Sequence, residues 1–149
     1  MFTLDNLDTE SAQEQGAWLH LVNPATGELA YLDEEQTKPC RIKFKGWHSE
    51  AGKESALKGR NKMMKEAVKQ GKGKNKQTKE LTIADLKENA ITDAETLEAL
   101  AIDWENICGS DGKPIDFSKK AFYNAAIRAL DLRKQALEFI QDQTVFFEA

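Results

Sequence analysis

The chain has 149 residues, of which 40% are hydrophobic and 31% charged, with a formal net charge of −4. That length suits one domain with a core large enough to need no disulfide or metal staple, and the composition is that of a globular protein rather than a disordered or fibrous one. No apolar run approaches the roughly 20 residues of a membrane span, the start Met1-Phe2-Thr3-Leu4-Asp5 lacks the basic and apolar segments of a secretory signal, and the cytoplasm is the expected compartment.

Residues 1–13 are polar and acidic with no apolar periodicity and read as a flexible lead, and residues 14–149 as a single domain. Between Gly16 and Trp47, Trp18, Leu19, Leu21 and Val22 precede the turn Asn23-Pro24-Ala25-Thr26-Gly27-Glu28, and Leu29, Tyr31, Leu32, Ile42 and Phe44 follow it. Ile42 and Phe44 alternate with Arg41, Lys43 and Lys45, the period-two pattern of strands with one buried face. Pro24 presets φ for a β-turn and Gly27 can take the positive φ that closes one, so a β-hairpin is expected over 14–47.

Ser49 is placed to cap a basic helix over 49–70 with Ala56, Met63, Met64, Ala67 and Val68 on its apolar side and Lys58, Lys62, Lys65 and Lys69 near the other. Gly52, Gly59 and the like-charge pairs Lys58/Lys62 and Lys65/Lys69 weaken it, so docking must stabilise it. Residues 71–79 combine glycine, lysine and amides and read as a mobile cationic linker. From Lys53 to Lys79 there are ten basic residues against two acidic ones, a net of +8, which leaves −12 for the rest of the chain. Such a split can steer an anionic partner, with Lys58, Lys62, Lys65, Lys69, Lys72, Lys74 and Lys76 as the steering residues, or draw copies of the chain together head to tail.

Residues 80–149 read as a helical half. Thr82 with Asp85 suggests a short helix to about Asn89. Thr92 with Glu95 forms a stronger capping pattern, for an amphipathic helix carrying Leu97, Leu100, Ala101, Trp104 and Ile107. Gly109 to Pro114 stops it. Ser118 caps a last helix to about residue 142, with Phe117 as a staple against Phe122 and Phe122, Ala126, Ala129, Leu130, Leu137 and Ile140 as its inner stripe. Val145-Phe146-Phe147 is expected to form a last packed turn, the alternative being an exposed adhesive end. The fold class is therefore α+β, a small antiparallel N-terminal hairpin or sheet followed by a mainly helical body.

Residue chemistry points away from catalysis. Neither His20 nor His48 has a companion at metal-ligand spacing, and Cys40 and Cys108 read as reduced structural thiols. The acidic clusters at Asp5/Asp8/Glu10 and Asp33/Glu34/Glu35 lack the glycine and ligand spacing of a calcium loop. No phosphate-loop, dinucleotide, serine-hydrolase or zinc-protease motif occurs, so no cofactor or metal is expected. The lysine segment would neutralise phosphates, but between Lys53 and Lys79 it contains no aromatic residue to stack a base, and the acidic remainder repels a polyanion.

Taken in order, Trp18, the Asn23–Glu28 turn, Lys45-Gly46-Trp47-His48-Ser49 before a charged helix, Trp104, the Gly109–Pro114 turn, Ile115-Asp116-Phe117-Ser118 and a terminal helix ending in Phe146-Phe147 resemble the layout of the tail assembly chaperones of long-tailed bacteriophages. The resemblance spans most of the chain and implies the short form of a non-enzymatic chaperone. Such a protein, in the host cytoplasm, binds and solubilises the helical tape-measure protein and helps recruit major tail protein subunits. A groove carrying Trp104 and Phe122, with Phe146 and Phe147, is then the expected partner site. The alternatives are a phage or prophage nucleic-acid-associated protein using Lys53–Lys79, and a structural tail or head-completion subunit.

Overall fold

The computed structural model describes residues 2–69 and 82–147, without the side chains of residues 6, 66–69, 143 and 147. The linker expected at 71–79, with Lys72, Lys74 and Lys76, lies outside the described residues, as do the side chains of Lys69 and Phe147.

The stretch expected to lack structure is largely helical. A 3-10 turn (Leu4–Leu7) leads into α1 (Thr9–Gln15), capped by Asp8, whose carboxylate accepts from the Ser11 amide. Its anchor is polar: Gln13 is buried, its Oε1 accepts from the His48 amide at 2.7 Å and its carbonyl accepts from the Gly46 amide at 3.0 Å. A search for apolar periodicity misses a helix held this way.

The sheet is three-stranded and antiparallel, in the order β1 (Ala17–His20), β2 (Arg41–Phe44), β3 (Ala101–Glu105). The Asn23–Glu28 turn forms as expected, with Gly27 at φ +74° and the Asn23 amide donating to the Glu28 carbonyl at 2.8 Å. That turn closes only a side hairpin, bridged at Val22 and Leu29, within an excursion that returns through Tyr31 and Pro39. The main pairing joins β1 directly to β2, with Ala17 opposite Phe44 and Leu19 opposite Ile42. Gln135 secures the excursion from outside: its amide accepts from the Val22 N–H and donates to the Val22 carbonyl, both at 2.8 Å.

The basic helix α2 (Glu50–Lys69) starts where the sequence places it, the Ser49 hydroxyl accepting from the Gly52 amide. The next element differs. The Thr82/Asp85 box begins one helix, α3 (Ile83–Leu100), that runs through the expected Thr92 cap. Thr92 sits mid-helix and donates back to the Glu88 carbonyl at 3.0 Å.

Beyond Leu100 the chain is not helical, and Trp104 lies on β3. Ala101 pairs with Phe44 and Trp104 with Ile42, so four residues of β3 span three of β2 across a bulge. The bulge places two buried residues three apart, the step that otherwise signals a helix.

The last helix is two: α4 (Lys119–Arg128), capped by Ser118, and α5 (Leu130–Gln141). Ala129, at φ −110° and ψ 99°, breaks the ladder, and the Arg133 guanidinium donates to the freed carbonyls of Ala126 and Ile127. The break resets the helical phase, so Phe122, Ala126, Ala136 and Ile140 are buried while Leu130 is exposed. Phe117 meets Trp104 edge-on at 5.5 Å and Phe122 meets Phe44 at 5.5 Å, each ring of the expected staple serving a sheet residue. A short α6 (Gln143–Phe147) closes the described chain, with Phe146 buried against Phe139. The core lies between one face of the sheet (Ile42, Phe44, Trp104) and α3, α4 and α5.

Candidate partner interface

The expected aromatic anchors are core residues. Trp104 is 6% exposed, and its indole N–H donates to the Ile115 carbonyl at 2.7 Å. Phe122 is fully buried and Phe146 nearly so. A partner would have to unpack the domain to reach them, so the groove expected around Trp104 and Phe122 is filled from within.

Exposed apolar surface lies elsewhere, on the helices α2 and α3. Between them Ser55, Gly59, Thr92 and Thr96 line one cavity, and Lys62 reaches Glu88 at 3.8 Å. On α3 the core-facing stripe is Ala94, Leu97 and Leu100, all fully buried. The same phase continues backwards through Ala90 to Leu86 and Ile83, which are 57% and 73% exposed. The apolar face of the helix therefore overruns the body that covers its C-terminal half.

On α2 the described part of the expected inner stripe is also uncovered, the side chains of Ala67 and Val68 lying outside the described residues. Ala56 is exposed, and Met63 and Met64 are 72% and 59% exposed. The side of α2 turned to that cavity carries Ser55, Gly59 and Lys62 rather than the larger apolar side chains. Lys58, Lys62 and Lys65 are exposed beside this surface, in keeping with a cationic face. Thus the expected cations and the exposed methionines share one helix, while the expected anchors sit in the core. The sequence signal for the missed residues is the spacing Ile83, Leu86, Ala90, Ala94, Leu97, obscured when 83–100 is divided into two helices.

Among the described residues the titratable groups form no metal-binding cluster. His20 Nε2 lies 2.7 Å from the Ala30 carbonyl and its ring packs edge-on against Tyr31, while His48 is exposed. Cys40 and Cys108 are partly buried free thiols, and burial, then the proximity of Cys108, pushes the Cys40 thiol up. Among the described residues no three His, Cys, Asp or Glu side chains converge to hold a metal, and no helix is long and apolar enough to cross a membrane. On the outer sheet face Trp18 is covered by the Arg41 guanidinium at 4.3 Å, and Arg41 is in turn paired with Glu105 at 2.8 Å.

No family model, curated protein or solved structure matches the chain.

Proposed function

We propose that the protein is a non-enzymatic chaperone of phage tail assembly, which binds and solubilises the tape-measure protein in the host cytoplasm and helps recruit tail-tube subunits. The observation that carries this reading is the overrun of α3, where a stripe buried at Leu97 and Leu100 emerges at Leu86 and Ile83, with Met63 of α2 also exposed. A groove-like surface of this kind suits an amphipathic helix, which would continue the packing that α4 and α5 give the other end of α3. Methionine adapts to irregular apolar partners, as a chaperone surface requires. The order of turns, tryptophans and helices that resembles the tail chaperones agrees with this role.

The test is coexpression with a fragment of a tape-measure protein. The fragment should stay in the supernatant as a complex that moderate salt leaves intact, because apolar contact holds it. Precipitation of the fragment, combined with retention of DNA that falls steeply with salt, would instead make the protein a nucleic-acid binder.

A further inference from the structure

Two exposed apolar patches of opposite charge occur on this one chain. The first is the segment before α1, where Phe2, Leu4 and Leu7 are 72%, 82% and 63% exposed. Residues 2–14 carry four carboxylates and no cation; Glu10 and Glu14 pair with Lys53 and Lys45 of the same copy, and Asp5 and Asp8 lie at the exposed apolar end. The second is the side of α2 turned away from α3. Lys53, Leu57, Arg60 and Met64 follow one another at steps of four, three and four residues and so line one helical stripe. Leu57 and Met64 are 58% and 59% exposed. Residues 53–65 hold five cations and one carboxylate.

We propose that copies of this chain associate head to tail, the acidic apolar segment Phe2–Leu7 of one copy seating on the Lys53, Leu57, Arg60, Met64 stripe of the next. Charge complementarity selects this occupant. Within one copy the same attraction is already present at its margin, where Glu10 pairs with Lys53 at 3.1 Å. The apolar residues of the two patches nonetheless remain exposed in that single copy, which leaves a second copy to cover them. A symmetric pairing of α2 with α2 would oppose cations to cations, and pairing of the two N-terminal segments would oppose carboxylates to carboxylates. The contact is therefore heterologous and extends into a ring or an open chain. It uses a different face from the α3 overrun and does not depend on the tail-assembly reading.

Sedimentation of complementary variants tests it. One variant is Leu57→Ser with Arg60→Glu, and the other is Phe2→Ser with Leu4→Ser and Leu7→Ser. All five positions are exposed, and circular dichroism verifies that both variants fold. The wild type should associate with rising concentration and lose that association as salt rises. Each variant alone should sediment as a monomer, whereas an equimolar mixture should give a dimer and nothing larger, because each retains one half of the contact. The proposal is overturned if the wild type stays monomeric up to its solubility limit, if either variant alone still associates, or if the mixture forms no dimer.

Discussion

Gly52 and Gly59 occupy the same helix under opposite constraints. A Cβ on Gly52 would stand 2.2 Å from the Trp47 carbonyl oxygen, a backbone atom that cannot move aside without displacing the turn before α2. At Gly59 a Cβ would meet nothing within 4 Å. Gly52→Ala should therefore destabilise the fold by about 1–3 kcal/mol, while Gly59→Ala should stabilise it by about 0.5–1 kcal/mol through the lower backbone entropy of its unfolded chain. Urea unfolding of the two variants measures the difference in sign. From sequence both glycines read as helix weaknesses, because the carbonyl above Gly52 belongs to a fold that spacing does not reveal.

Asp93 on α3 is a second residue whose effect has a definite sign. Burial raises its carboxyl above the ordinary 3.8, and the Arg133 guanidinium only partly opposes the shift. The folded state thus holds the proton more tightly than the unfolded chain, and stability conferred by protonated Asp93 is lost as pH rises through the folded value. Asp93→Asn should gain stability relative to wild type as pH increases from about 4 toward neutrality. Parallel thermal melts over that range would refute this if the two proteins kept a constant difference.

At the scale of elements, the readings that held were those written in local chemistry. The Asn23–Glu28 turn, the Ser49 and Ser118 caps and the alternation of Ile42 and Phe44 each depend on a few adjacent residues. The readings that failed depend on distant partners. β3 is a strand because β2 offers it an edge, and its bulge gives Ala101 and Trp104 a helix-like spacing. Ala129 breaks the last helix with no proline or glycine to announce it, and Arg133 supplies the missing donors. Gln135, which appears in sequence as one more polar helix residue, holds the side hairpin through Val22. Gln135→Ala should cost about 1–3 kcal/mol by leaving both Val22 groups unpaired. It should also speed hydrogen exchange at Val22 selectively, and unchanged exchange there would show that the clamp contributes nothing.

Across the whole molecule, the division into an acidic body and a basic segment was legible in sequence because charge can be counted without a fold. The proposed interface was not, since an anchor and a core residue are the same amino acid until burial distinguishes them. Trp104, Phe122 and Phe146 belong to the core, and the surface proposed for a helical partner is the emergent stripe of α3. Ile83→Ser with Leu86→Ser should leave stability within about 0.5 kcal/mol of wild type, as expected of exposed sites. The most direct measurement is a calorimetric titration of a tape-measure fragment into wild type and this double variant. The wild type should bind, and the variant should bind about 30- to 100-fold more weakly, the loss expected when two partly exposed aliphatic side chains no longer reach a partner. Equal affinity for the two proteins, or no binding by the wild type, would contradict the assignment of this stripe to the partner.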